Sequence, residues 1–238
     1  MIKILLLTLC LGPAGDGSAI TPSARGEWAL DRHNHLNSVV QERKGKIDVA
    51  FIGDSITQGW EGAGVKAWDA ILKPFRPINL GIGGDRTEHL LWRFDNGNLD
   101  GINPRIAVIM IGTNNFGYRQ DSAEEVYEGV VAVVDRILIK KPQIQVLLLD
   151  IFPRGEAFNQ MRGEILQVNQ ALRKTYDTVE SVCFFPIGHL FLEDDGTISK
   201  SVMPDQLHLS ETGYQIWADA VAPQIVKMLG IDKPTLMP

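Results

Sequence analysis

Ile47-Asp48-Val49-Ala50-Phe51-Ile52-Gly53-Asp54-Ser55-Ile56-Thr57-Gln58-Gly59 is the stretch on which the fold turns. Its opening run, Ile47 to Ile52, is nearly all apolar and too short for a typical helix. It ends in a glycine followed by small polar residues, the pattern of a strand buried on both faces that leads into a turn. Runs of the same kind recur at Ile78 to Ile82, Ile106 to Ile111, Ile144 to Leu149 and Val182 to Phe185. Amphipathic stretches separate them. Val126, Val130, Val133, Val134 and Ile137 fall at helical spacing, as do Ile165, Val168, Leu172 and Tyr176. Trp28 to Val40 reads as an earlier helix and Glu211 to Met228 as a last one, with Ser210 as its N-cap. Short buried strands joined by crossover helices predict a three-layer α/β/α sandwich around a parallel sheet of about five strands.

The 238 residues fit one domain, and 45% hydrophobic with 22% charged residues describes a globular chain able to bury a large core. The formal net charge of −6 has no basic cluster set against it, which excludes the phosphate-neutralising surface a nucleic-acid partner needs. The only cysteines are Cys10 and Cys183, so there is no disulfide framework and no zinc-type spacing. Cys183, inside Val182-Cys183-Phe184-Phe185, reads as a buried thiol.

The N-terminus departs from this pattern. Met1-Ile2-Lys3 precedes an apolar stretch from Ile4 to Leu11, and small or turn-forming residues follow to Ala24. Residues 1–24 are read as a signal peptide and leader, with small residues for cleavage at Ser18-Ala19 and Ser23-Ala24, and residues 25–238 as a single domain. The expected location is secreted or periplasmic. A buried first strand is the competing reading. The stretch is shorter than the roughly 20 residues of a membrane span, so no stable span is expected, and Leu9 before Cys10 is too large to favour a lipid-attachment site.

In open parallel sheets the reactive crevice lies beyond the carboxyl ends of the strands, which selects the loops beginning at Gly53, Gly83, Gly112, Phe152 and Pro186. Ser55 opens the turn after the first strand, where its hydroxyl faces the crevice and helix-start N–H groups can stabilise developing negative charge. Asp54 is read as a loop-fixing side chain. A serine hydroxyl needs a base. His33 and His35 are expected on solvated surface, and neither His89 nor His189 has an evident carboxylate partner. His208 differs, because Asp205 lies three residues before it in a loop leading to the last helix. Such a turn can bring the carboxylate to Nδ1 and leave Nε2 as base. The alternative is a capped turn with a surface histidine. For the oxyanion, Gly83-Gly84 lets backbone N–H groups approach closely, making the Gly84 N–H a candidate donor. Asn114, in Gly112-Thr113-Asn114-Asn115, is a second candidate, or else a turn residue.

Together these loops resemble the SGNH hydrolases, or GDSL esterase and lipase family, over residues 47–229. Gly53-Asp54-Ser55, Gly84, Gly112-Thr113-Asn114 and Asp205 with His208 match the four family blocks in order. Phe51-Ile52-Gly53-Asp54-Ser55, Gly81-Ile82-Gly83-Gly84-Asp85, Leu91-Trp92-Arg93, Asn96-Gly97, Pro153-Arg154-Gly155 and Asp195-Gly196-Thr197-Ile198 are similar to the platelet-activating factor acetylhydrolase branch. Asn115, where many family members carry Asp, fits that branch too. The resemblance implies a flavodoxin-like SGNH hydrolase fold and hydrolysis of short acyl, chiefly acetyl, esters through an acyl-enzyme, with no cofactor or metal. It implies Ser55, Asp205 and His208 as the triad, and Ser55 N–H, Gly84 N–H and Asn114 as the oxyanion hole. The leader points away from an intracellular enzyme and towards an acylated carbohydrate or small-molecule ester as substrate. Relatives that pair make a homodimer an expectation. Two alternatives stand beside this: a lipase or thioesterase for longer acyl chains, and a non-catalytic carbohydrate-binding relative. Trp60, Trp68, Trp92 and Phe116 are assigned to no pocket, since aromatics in a sandwich mostly serve the core.

Overall fold

The structure, a computed structural model, describes residues 18–231. Its strands are β1 (Val49–Gly53), β2 (Pro77–Asn79), β3 (Ile106–Met110), β4 (Gln145–Leu149) and β5 (Val182–Phe185). They form one sheet in the order β2-β1-β3-β4-β5, with every neighbouring pair parallel. Around it run the helices α1 (Glu27–Glu42), α2 (Ser55–Gln58), α3 (Val65–Ala67), α4 (Thr87–Asp95), α5 (Ala123–Lys140), α6 (Gln160–Tyr176) and α7 (Glu211–Leu229). The expected three-layer sandwich is present. β2 is shorter than its apolar run. The Asn79 Oδ1 accepts the Gly81 N–H at 2.9 Å and turns the chain out of the ladder, although Leu80 N still donates to Phe51 O at 2.8 Å.

Because successive side chains of a strand point to opposite faces, the core divides in two. Ala50, Ile52, Ala107, Ile109, Val146 and Leu148 pack under α1, α4, α5 and α6. Val49, Phe51, Val108, Met110, Leu147 and Leu149 pack under α7 and the segment of α2, α3 and a π turn over Trp68–Leu72. On that second face Trp60 and Trp217 are fully buried with ring centroids 4.8 Å apart. The Tyr214 hydroxyl donates to the Ile56 carbonyl at 2.6 Å, tying α2 to α7. Ser210 caps α7 as expected, accepting from Gly213 N at 3.2 Å.

The strand order reverses between β1 and β3, since the chain leaves β1 for β2 on one side and returns to β3 on the other. That reversal opens a crevice at the carboxyl ends of these two strands. The segments that begin at Asp54 and Ile111 follow these two strands.

Some expectations need correction. His33 is buried, not solvated: it shares the inward stripe of α1 with Ala29, Leu36 and Val40. Its Nε2 lies 2.9 Å from the Asn96 carbonyl and its ring 5.0 Å from that of Trp92, while burial, with the Arg93 charge, pushes its pKa down. His35 is exposed as expected. Trp60 and Phe116 belong to the core, whereas Trp68 and Trp92 are half-buried. Cys183 is half-buried, its Sγ accepts from Gln224 Nε2 at 3.3 Å, and burial pushes the thiol pKa up.

Residues 1–17 of the expected leader, Cys10 among them, lie outside the described residues. From Ser18 onward the chain packs on the domain. Ala19 is buried, its carbonyl accepts from Thr87 Oγ1 at 2.8 Å, and Ser23 N donates to Glu88 O at 3.1 Å. No helix among the described residues is long and apolar enough to cross a membrane.

Candidate active site

Asp54 ends the β1 turn and caps α2, its buried Oδ1 accepting the Ile56 N–H at 2.9 Å. The cap starts a helix at Ser55, which leaves the Ser55 N–H without an intrahelical acceptor. Asp54 therefore fixes the loop, as its place in the sequence suggested. Burial, reinforced by the nearby Asp85 charge against the Ile56 hydrogen bond, raises its pKa to about 7.

The Asp205-to-His208 turn forms in the expected way. Asp205 Oδ1 accepts the backbone N–H groups of His208 and Leu207 at 2.7 and 3.1 Å. Its Oδ2 lies 2.6 Å from His208 Nδ1. Gln206, between them, takes a left-handed conformation with φ +61°, and its carbonyl accepts from Gly155 N at 2.8 Å. Since an ionised carboxylate can only accept, the proton sits on Nδ1 and Nε2 is free to accept. The Ser55 hydroxyl donates to that Nε2 at 2.9 Å. Burial pulls the Asp205 pKa up, but the hydrogen bonds from the His208 ring and backbone outweigh it and hold the carboxyl below its usual range. Serine, imidazole and carboxylate thus form one continuous hydrogen-bonded chain at an exposed face of the crevice.

The other two predicted positions converge beside it. Gly84 adopts φ +72°, a conformation that favours glycine, and among the described residues its N–H has no acceptor. Asn114 Nδ2 donates to the Asp85 carbonyl at 2.9 Å. An amide NH2 carries two hydrogens, so one remains for a ligand. All five residues singled out from the sequence are thereby gathered at one crevice. A hydroxyl poised against a base, with amide donors alongside, is the arrangement that nucleophilic acyl transfer requires.

What sequence reasoning missed is the scaffold behind Gly84. Asp85 is 1% exposed, ion-paired with Arg93 and approached by Arg25 at 3.4 Å. Arg93 also donates to Leu80 O and, at 2.7 Å, to Asn98 Oδ1. The Arg25 guanidinium donates to the Gly83 carbonyl as well, and Gly83 N donates to Gln58 Oε1 at 2.7 Å. On the opposite wall Arg154 Nη1 donates to Thr113 O and Oγ1 at 3.1 and 3.2 Å. Asn115, the departure from the wider family, accepts from Thr87 N at 3.1 Å and donates to Asp121 at 2.9 Å, so it locks α4 to the β3 loop. Arg25 carries no local pattern that could have announced its role, and the family-like segments Leu91-Trp92-Arg93 and Pro153-Arg154-Gly155 mark Arg93 and Arg154 without indicating what they hold. The expectation that His89 lacks a carboxylate neighbour is corrected: Glu88 and Asp85 lie 3.8 and 4.0 Å from its ring. Burial nevertheless drives its pKa to about 4, so it stays neutral and its Nδ1 accepts from Arg86 N at 3.0 Å. His189 is exposed, and nearby Asp150 accepts the Ile187 and Gly188 N–H groups instead.

A flavodoxin-like parallel sheet carrying a serine, histidine and carboxylate chain at its switch point defines the class of SGNH-type hydrolases. Residues 51–216 match the GDSL-like lipase/acylhydrolase family. The human platelet-activating factor acetylhydrolase IB subunit alpha1 is 35% identical over 208 residues, covering 87% of this chain and 87% of that protein. Among solved structures, a GDSL-like lipase from Bacteroides thetaiotaomicron superposes with TM-score 0.64 at 21% identity, over 84% of this chain and 99% of its own. A carbohydrate esterase family 3 protein from Talaromyces cellulolyticus gives TM-score 0.56 at 16% identity, over 77% and 99%. The chain belongs to the GDSL-like lipase/acylhydrolase family, whose members are ester hydrolases.

Proposed function

We propose that the protein is a serine esterase that hydrolyses short-chain acyl esters, acetyl esters above all. The observation that carries this reading is the Ser55–His208–Asp205 hydrogen-bonded chain, with links of 2.9 and 2.6 Å. Ser55 Oγ attacks the ester carbonyl while His208 Nε2 takes its proton, and Asp205 stabilises the imidazolium. Ser55 N–H, Gly84 N–H and the free Asn114 hydrogen hold the oxyanion. The tetrahedral intermediate collapses as His208 protonates the leaving alcohol, and the acyl group stays on Ser55. Water, deprotonated by His208, then attacks the acyl-enzyme and releases the acid. No cofactor takes part. Support for the acetyl preference comes from the similarity to an acetylhydrolase subunit along most of the chain.

The apolar stretch from Ile4 to Leu11 supports export, which would bring the enzyme to acetylated carbohydrate. Hydrolysis of 4-nitrophenyl esters from acetate to palmitate tests the chemistry. Acetate is cleaved fastest and activity declines with chain length, while Ser55→Ala folds normally and loses at least about 10⁴-fold in kcat. A palmitate optimum would favour the long-chain alternative. Substantial turnover by Ser55→Ala would defeat the assignment of the nucleophile.

A further inference from the structure

Asn159-Gln160-Met161-Arg162 opens α6, with Asn159 as N-cap accepting the Arg162 N–H at 3.0 Å. Arg162 is therefore the third residue of the helix, whose first turn holds no acidic side chain. A cation there opposes the helix dipole. A residue that breaks a local preference is explained by something outside its own helix.

For Arg162 that something is three carbonyls. Its half-buried guanidinium donates from Nε to Arg154 O at 3.0 Å, from Nη2 to Gly155 O at 2.5 Å and from Nη1 to Gly196 O at 2.6 Å. Asn159 Nδ2 adds a second donor to Arg154 O at 3.1 Å. The Arg154 carbonyl is one end of a planar peptide unit, and the Gly155 N–H is the other. That N–H donates to Gln206 O at 2.8 Å. Holding the oxygen thus fixes the plane of the peptide, and a charged donor at the oxygen strengthens the bond made by the N–H.

Gln206 needs such a hold. It lies between Asp205 and His208 with φ +61°, a conformation that is unfavourable for a residue with a Cβ. Among the described residues only Arg76 and Gln120 share that feature outside glycine, and both close helical turns, where a left-handed cap is ordinary. Gln206 closes no helix.

We infer that Arg162 is a positioning residue for the Asp205-to-His208 turn, acting through the Arg154–Gly155 peptide. The inference rests on the esterase reading above and adds to it a residue hydrogen-bonded to none of the reacting side chains. The guanidinium keeps the peptide turned so that the Gly155 N–H holds Gln206 left-handed. In that conformation Asp205 accepts both the His208 backbone N–H and its Nδ1–H. With the guanidinium gone, the peptide is free to turn, Gln206 relaxes towards negative φ, and the carboxylate leaves Nδ1.

The test uses the full-length enzyme. Arg162→Ala is expected to lose about 10²-fold in kcat on 4-nitrophenyl acetate with KM within about twofold, because the base is displaced while ester binding is untouched. Guanidinium ion, added well below denaturing concentration, restores kcat saturably, and sodium at equal ionic strength does not. Arg162→Lys keeps the charge but cannot span three carbonyls, so it loses at least about tenfold and decides the matter if Arg162→Ala does not fold. A second arm needs no turnover. Nitrogen NMR of Ser55→Ala with isotope-labelled histidine, at alkaline pH, reads which ring nitrogen of His208 carries the proton. The Nδ1–H form is expected, since Asp205 selects it, and adding Arg162→Ala converts it to a mixture with the Nε2–H form. Guanidinium reverses that change. Unchanged kcat would overturn the inference, as would a His208 that keeps the Nδ1–H form without Arg162. A loss that guanidinium leaves unrestored would assign Arg162 to the general stability of α6 and overturn it too. If the wild type cleaves no ester while its tautomer still depends on Arg162, the esterase reading fails and the positioning role stands.

Discussion

Asp54→Asn should make the protein more stable in alkali relative to wild type, by an amount that depends on pH. The side chain is fully buried, and among the described residues Oδ1 accepts the Ile56 N–H at 2.9 Å while Oδ2 has no partner. Burial raises its pKa from 3.8 to about 7. Between these values the folded protein holds a proton that the unfolded chain has released. The unfolded state then binds fewer protons and stability falls as pH rises. The contribution is complete below pH 4 and is lost as pH climbs through about 7. A displacement of that size corresponds to about 4 kcal/mol. Asparagine keeps an oxygen for Ile56 and cannot ionise, but it leaves an NH2 unpaired at a cost of roughly 1–3 kcal/mol that does not vary with pH. The stability difference between variant and wild type should therefore shift in the variant's favour by about 4 kcal/mol from pH 4 to pH 8. Urea denaturation of both proteins across that range measures it, with all other titrating groups in common. A difference that stays flat across the range would refute the raised pKa and the buried charge behind it.

On the proposed mechanism Asn114→Ala should lower kcat on acetyl esters roughly 10²–10³-fold with little change in KM, because it removes a donor to the charge that develops in the transition state. A loss confined to KM would assign Asn114 to substrate binding instead. Arg93→Met should destabilise the fold by about 3–5 kcal/mol, since it strands the buried Asp85 carboxylate. Adding Asp85→Leu should recover most of that loss in thermal unfolding, and failure to recover it would show that the pair does not act as a unit.

The fold was legible because it rests on local signals. Strands buried on both faces must be apolar throughout, and the runs at 106–111 and 144–149 could form little else. The hydrogen-bonded chain of Ser55, His208 and Asp205 was legible for a related reason. Asp205 reaches His208 within one turn, and Ser55 is placed by the end of β1, so short sequence windows contain most of the geometry. Where the expectation failed, the cause was long-range. His33 stands among charged residues in sequence but on the inner stripe of α1, and only the approach of Asn96 and Trp92 turns that stripe into interior.

The support of the Gly83-Gly84 loop shows why such sites are only half legible. Gly84 needs a positive φ, and that alone recommends glycine; holding its N–H in place is the work of Asp85, Arg93 and Arg25. Arg25 reaches the loop from 58 residues away in sequence, and Asn114 reaches Asp85 from 29. No spacing rule links them. On the proposed mechanism chemistry and positioning are separate: Ser55 follows β1 and Asp205 with His208 occupies one turn before α7, whereas the groups that brace the Gly84 loop come from wherever the layers bring a charge within reach. A substitution at Arg25 should therefore impair turnover while leaving the Gly53-Asp54-Ser55, Gly84, Gly112-Thr113-Asn114 and Asp205 with His208 blocks intact.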